Sequence, residues 1–254
     1  MATAKNIDSL KNLTGVALSV ASLKTENSCG VGEFLDLIPF ADFCKLSGLE
    51  LIQILPVNDT GTGSSPYSAL SAFALHPIYI SLKNLDELKD ETSENKKILA
   101  EIEKFAKETN KEKRFNYNKI RNEKNTILRK IFDENADKIL KNKKLLTWEK
   151  ENDWIKSYSV FMQKKAIHME SSWKEWPKSD ILSAEQIEAH WNDKKNAKDN
   201  HFYAWVQMNL DNQLKKASDY LKKQGIMLKG DIPIMMNDDS CDTWAYPEYF
   251  DNEL

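Results

Sequence analysis

The sequence predicts an α/β fold in which a short strand–helix–strand unit and a later strand are separated by a long helical block. Three observations carry this reading. Glycine and proline, which punctuate turns, sit near the two ends: no glycine lies between Gly63 and Gly225, and no proline between Pro77 and Pro177. Two short apolar runs near the N-terminus flank a segment with helical spacing. From Lys83 to Lys150 there are 19 Lys or Arg and 14 Asp or Glu, with apolar residues still recurring at helical intervals. The chain therefore divides into residues 1–82, 83–225 and 226–254.

The first strand is Thr14–Val20 and the second Leu49–Leu55, closed by Pro56. Between them Phe34, Ile38 and Ala41 mark one helix face. Asp36 is the candidate N-cap, which keeps Pro39 in the first turn, and Gly48 suits the left-handed position past the helix end. Two apolar strands joined through a helix predict a right-handed βαβ unit and a parallel sheet. In the second block Ile98, Ile102, Phe105, Ile120, Ile127 and Ile131 read as narrow apolar stripes on charged helices. Six of the seven tryptophans fall between Trp148 and Trp205, which predicts better burial there. Phe202 to Leu221 reads as one long helix ended by Gly225. The tail from Gly225 is a third short strand, and Pro233 bars a central strand beyond it. Asp231 then lies where strand gives way to loop, the place where active-site residues gather in βα architectures. Asp238, Asp239 and Ser240 are capping candidates for a short helix that carries Trp244.

Composition narrows the function. A formal charge of −3 argues against a dedicated nucleic-acid binder. No apolar run approaches a membrane span, and Met1–Lys11 contains no hydrophobic signal region, so a cytoplasmic location is expected. Cys29, Cys44 and Cys241 form neither a disulfide framework nor a ligand pattern. The four histidines are scattered, and Asp238, Asp239 and Asp242 lack the spacing and following glutamate of a calcium loop, so no metal is expected. Cys29–Leu35 lacks the third glycine of a dinucleotide fingerprint, and no Walker loop, G-x-S-x-G or H-E-x-x-H occurs. No cofactor is expected.

The segment Leu55–Ala74 carries hydroxyls, glycines and aromatics beyond what a simple connection needs. Two readings of it stand side by side. In one, aromatic faces and hydroxyls hold a sugar, with Pro66 fixing Tyr67 at the mouth of a site. In the other, the segment is a capped turn with Tyr67 in the core.

The residues Gln53-Ile-Leu-Pro-Val57, Thr60-Gly61, Ser65-Pro-Tyr67 and Ser71-Ala-Phe73 closely resemble the N-terminal signature of the amylomaltases, the 4-alpha-glucanotransferases also called disproportionating enzymes. Gly230-Asp-Ile-Pro-Ile234, Asp239-Ser240, Trp244-Ala245 and Pro247 resemble their third-strand motif, with Thr243 in place of a valine. Gly15-Val-Ala-Leu-Ser19 and Gly30-Val-Gly32 fit the first strand and its loop. The resemblance implies the N-terminal part, about three strands, of a (β/α)8 TIM barrel with a large helical insertion between strands 2 and 3. It also implies transfer of α-1,4-glucan segments between maltooligosaccharides by a retaining double displacement.

The resemblance further implies that no catalytic residue lies in this sequence: the nucleophilic Asp and the acid/base Glu are expected beyond Leu254. In the family the nucleophile follows an Arg on the fourth strand, whereas the only arginines here, Arg114, Arg121 and Arg129, lie in the charged block. Residues outside 83–225 number 111, against the roughly 250 of a complete barrel. The expectation is an N-terminal fragment, inactive alone. By motif position Tyr67 packs on a glucose ring beside the scissile bond. Ser65 shapes the loop and hydrogen-bonds sugar, and Asp231 accepts hydrogen bonds from sugar hydroxyls. Trp244 is assigned to packing. Ser64 replaces an acidic residue common in the family. The competing readings are a non-catalytic glucan-binding module and an unrelated helical interaction protein. The expected partner is a maltooligosaccharide or α-1,4-glucan, with no nucleic acid and no membrane; no oligomeric state is assigned.

Overall fold

The computed structural model describes residues 13–234 and 236–251. The reading of Met1–Lys11 lies outside the described residues, as does residue 235 in the third motif. Leu254, the boundary past which the reacting carboxyls are expected, also lies outside them. Three strands form one parallel sheet in the order β1-β2-β3: β1 is Gly15–Leu18, β2 Leu51–Ile54 and β3 Met227–Lys229. Gly15 is in register with Leu51, and Leu51 with Met227. Each strand is shorter than its apolar run. Ser19 Oγ accepts the Ala21 amide at 3.3 Å and turns the chain into a 3-10 turn, Val20–Ser22. Leu49 N donates to Cys44 O at 2.9 Å, so the start of the second run closes the preceding helix instead of extending the sheet.

Helix α1, Leu37–Leu46, lies between β1 and β2, with Gly48 at φ +73 just past its end as anticipated. Asp36 differs from expectation. It stands at the N-cap position but makes no side-chain cap to α1. Its carboxylate turns back, accepting Glu33 N at 2.7 Å, Ser28 Oγ at 2.8 Å and Thr25 Oγ1 at 2.7 Å. Nearby donors in the 25–33 loop outcompete the helix amides because α1 is entered through a 3-10 turn, Phe34–Asp36.

The block between β2 and β3 holds six helices among the described residues: α2 Ser93–Thr109, α3 Tyr117–Ile139, α4 Lys143–Glu151, α5 Ile155–Ile167, α6 Ala184–Asn192 and α7 Ala197–Gln224. Four start on side-chain caps, Thr92, Asn116, Asn142 and Ser183, each a residue type suited to that position. Gly225, at φ +78, ends α7. Ile98, Ile102, Ile120, Ile127 and Ile131 are all buried. The tryptophans are less uniform than expected. Trp176 and Trp205 are buried, but Trp148, Trp154, Trp173 and Trp191 are half-buried. The indole N–H explains part of this: Trp148 donates to Asp211 at 3.0 Å and Trp173 to Asp238 O at 2.9 Å, both toward the surface.

Helix α7 packs on α1, α5 and β3, and its glutamines bind backbone in pairs. Gln207 accepts Leu75 N and donates to Leu75 O, each at 2.8 Å. Gln213 does the same to Ser81, at 2.7 and 3.0 Å. The segment after β2, too irregular to pair in the sheet, thereby satisfies its amides against a helix. A second tie is Lys124, fully buried on α3. Its ammonium donates to Glu33 Oε1 at 2.7 Å, Ile78 O at 2.7 Å and Ile80 O at 2.8 Å.

Candidate functional site

Beyond β2 the chain makes a loop whose shape is set by buried polar groups. Asp59, 2% exposed, accepts Gly61 N at 2.9 Å on one oxygen and the Tyr158 hydroxyl at 2.6 Å on the other. Gly61 has φ +58, the left-handed region that favours glycine, and a Cβ there would push aside the Leu70 methyl 2.5 Å away. His76 Nδ1 accepts Ile78 N at 3.1 Å, which leaves Nε2 to carry the proton of the neutral ring. Nε2 donates to Tyr117 Oη at 2.6 Å, and Tyr117 donates on to Gly61 O at 2.8 Å. Burial lowers the His76 pKa to about 4, with Asp59 opposing the shift and Arg121 and Lys124 adding to it. The ring is neutral near pH 7 and works as a hydrogen-bond relay rather than a charge.

The loop is then sewn to the segment after β3. Asn237 N donates to Ala69 O at 3.2 Å, Cys241 N to Leu70 O at 2.7 Å, and Ala72 N to Asp242 Oδ2 at 3.0 Å. Asn237 Nδ2 donates to Ser68 Oγ at 3.0 Å. This seam brings Tyr67 and Asp231 together: the Tyr67 hydroxyl donates to Asp231 Oδ2 at 3.1 Å. That bond holds the phenol pKa above its usual range. Asp231 Oδ1 accepts the amide of Ile232 at 3.0 Å. Each carboxylate oxygen has two lone pairs, so each keeps one acceptor position open.

Tyr67 is 44% exposed, which overturns the reading that buried it in the core. Ser65 is exposed on the same loop, where its carbonyl accepts Ser68 N at 3.2 Å. A cavity of about 580 Å³ opens beside it, lined by Ser64 and Pro66 together with Asn58, Thr60, Phe115 and Tyr117. Trp244 is 1% exposed, a packing residue as assigned. Its helix α8, Cys241–Ala245, is capped by Ser240, while the other candidates serve elsewhere. Asp239 accepts the ammonium of buried Lys165 at 2.6 Å and Trp173 N at 3.0 Å, tying the seam to the helical block. Among the described residues no group of three or more His, Cys, Asp or Glu is placed to hold a metal, and no helix is long and apolar enough to cross a membrane.

Sequence reasoning alone misses Asp59, His76, Tyr117, Tyr158 and Lys165. Their side-chain hydrogen-bond partners lie 41 to 99 residues away along the chain, as for His76–Tyr117 and Asp59–Tyr158, so no local pattern marks these pairs.

Comparison with known proteins identifies the family. The sequence profile described as 4-alpha-glucanotransferase matches residues 18–254. A 4-alpha-glucanotransferase of Chlamydia muridarum is 33% identical over 245 residues, covering 93% of this chain and 44% of the relative. One from Oryza sativa subsp. japonica is 34% identical over 248 residues, covering 93% of this chain and 25% of the relative. Amylomaltase from Streptococcus agalactiae, solved in complex with acarbose, superposes with a TM-score of 0.75 at 23% identity, covering 95% of this chain and 48% of that one. The chain thus spans less than half the length of these relatives. By the extent of the profile match and these identities, the chain belongs to the 4-alpha-glucanotransferase family.

Proposed function

We propose that this chain supplies the sugar-binding part of a 4-alpha-glucanotransferase that transfers α-1,4-glucan segments between maltooligosaccharides by a retaining double displacement. In this reading β1–β3 are the first three strands of a (β/α)8 barrel. Residues 1–82 and 226–254 belong to that barrel, and 83–225 are its helical insertion. The Tyr67 ring packs on a glucose C–H face, and the open lone pairs of Asp231 accept sugar hydroxyls. Ser65 borders the same ring from the loop. The nucleophile and the acid/base, carboxyls that must stand about 5 Å apart, are assigned to positions beyond Leu254.

The observation that carries the reading is the Tyr67–Asp231 hydrogen bond. It joins two motifs 164 residues apart at the carboxyl ends of β2 and β3, where βα architectures place their sites. A direct test is calorimetric titration of the chain with maltotriose. Tyr67→Ala and Asp231→Asn should each weaken binding about tenfold, the scale of one charge-assisted hydrogen bond or one aromatic contact. Unchanged affinity in both variants would refute the assignment. The same chain incubated with maltotriose should release no glucose and no longer chains; turnover would refute the placement of the reacting carboxyls beyond Leu254.

A further inference from the structure

We infer that Tyr117 and Tyr158, both on the helical block, are positioning residues for the sugar site: their hydroxyls fasten the root of the loop after β2 and so hold Tyr67 against Asp231. The inference rests on the function proposed above and extends it to how the block governs that site.

The two phenols come from different helices, Tyr117 at the first residue of α3 and Tyr158 near the start of α5. Both reach the same short stretch, Asp59–Gly61. Tyr158 donates to Asp59 Oδ2, while Oδ1 of that carboxylate accepts the Gly61 amide. Tyr117 donates to Gly61 O and stands 3.0 Å from Thr60 Oγ1, which itself donates to Gly63 O at 2.6 Å. Three consecutive residues are thus fixed from two helices at once. Backbone carries the tie to the tip of the loop. Asp59 N donates to Ala74 O at 2.8 Å, and Asp59 O accepts Leu70 N at 2.7 Å, so Asp59 closes the base of the loop. Tyr67 lies inside that closed span with its ring half open to solvent, so its aim depends on the loop backbone more than on packing around the ring.

Burial makes these ties matter. Tyr158 and Asp59 are both buried, and a phenol donating to a carboxylate is among the stronger hydrogen bonds. Burial, and after it the facing Asp59 carboxylate, hold the Tyr158 phenol well above its usual pKa, so it stays a donor. If the hydroxyl is removed, Asp59 Oδ2 loses that donor where water does not reach, and the loop must shift to hydrate it. A loop fixed in advance also spares the sugar the cost of ordering it. Binding free energies are reciprocal, so a sugar held better while the block is docked must in turn hold the block more firmly.

The test is calorimetric titration with maltotriose, with amide hydrogen exchange in parallel. Tyr158→Phe and Tyr117→Phe keep each ring in place and remove only the hydroxyl. Each should weaken maltotriose by about fivefold to tenfold. Each should also speed exchange of the Gly61 and Leu70 amides, both bonded to Asp59, by about tenfold or more. Tyr220→Phe is the control: it removes an equally short phenol–carboxylate bond, Tyr220 to Asp42 at 2.6 Å, which ties α7 to α1. It should leave maltotriose affinity and the exchange of both amides as in the wild type. Unchanged affinity in Tyr158→Phe or in Tyr117→Phe overturns the inference for that residue. Equal weakening by Tyr220→Phe overturns it for both, because the effect would then be a general loss of stability. Tyr67→Ala separates the two proposals. If it leaves maltotriose binding unchanged, the sugar site itself is refuted, and exchange at Gly61 and Leu70 still decides whether the two phenols hold the loop: unchanged rates overturn that claim.

Discussion

Replacing Lys124 by Met removes the buried ammonium that ties the loop after β1 to the segment after β2. The side chain is 0% exposed and donates three hydrogen bonds, to Glu33 Oε1, Ile78 O and Ile80 O. Methionine matches its length, so little volume is lost. What remains is a carboxyl 2% exposed, still accepting Cys29 N at 3.1 Å, and two carbonyls without this donor. Breaking one side of a buried ion pair costs about 3–5 kcal/mol, and each stranded carbonyl adds about 1 kcal/mol. Relaxation keeps these from adding fully, so about 4 kcal/mol is expected, a large share of the roughly 5–15 kcal/mol typical of a domain. Urea unfolding followed by circular dichroism measures it as a lower midpoint at unchanged slope. Adding Glu33→Gln removes the stranded charge and should recover at least half of the loss. A single-variant loss below about 1 kcal/mol, or no recovery in the double variant, would refute the argument that Lys124 offsets the burial that raises the Glu33 pKa.

Two further outcomes follow from the same loop region. His76 has a folded pKa lowered to about 4 from 6.5, so between those values the unfolded chain binds a proton that the folded chain does not. Stability conferred by the neutral ring is therefore complete above pH 6.5 and declines by roughly 3 kcal/mol as pH falls to about 4; His76→Gln should flatten that part of a stability-versus-pH curve measured by urea unfolding. Gly32→Ala would place a Cβ 1.9 Å from Val20 O, and because the obstacle is backbone the loop must shift. A loss of about 3 kcal/mol is expected, read as a lower melting temperature, whereas Gly48→Ala meets no atom within 4 Å and suffers only from its φ of +73.

Much of the scaffold is legible in local sequence chemistry. The apolar runs mark all three strands, helical spacing marks α2, α3 and α7, and Gly48 and Gly225 mark where helices stop. The Tyr67–Asp231 pair is legible only through family resemblance, since nothing local says that residues 164 apart will meet. Misreadings arise where short polar side chains have several backbone donors in reach. Asp36 serves the 25–33 loop, and Asp238 and Asp239 yield the cap of α8 to Ser240. Tyr158, in the first turn of α5, carries no local mark; that its hydroxyl satisfies Asp59 becomes visible only once the block is folded against the loop.

The two glutamines of α7 act as a vernier. Gln207 and Gln213 are six residues apart, about 9 Å along a helix, and they clasp Leu75 and Ser81, also six apart. An extended stretch of that length would overshoot, so the 3-10 turn Pro77–Tyr79 shortens it to fit. Slippage by a single residue would unfasten both clasps at once. Whatever is threaded between residues 82 and 197 must return the chain to α7 in this one alignment, and must keep Tyr117, Lys124, Tyr158 and Lys165 on the partners they hold.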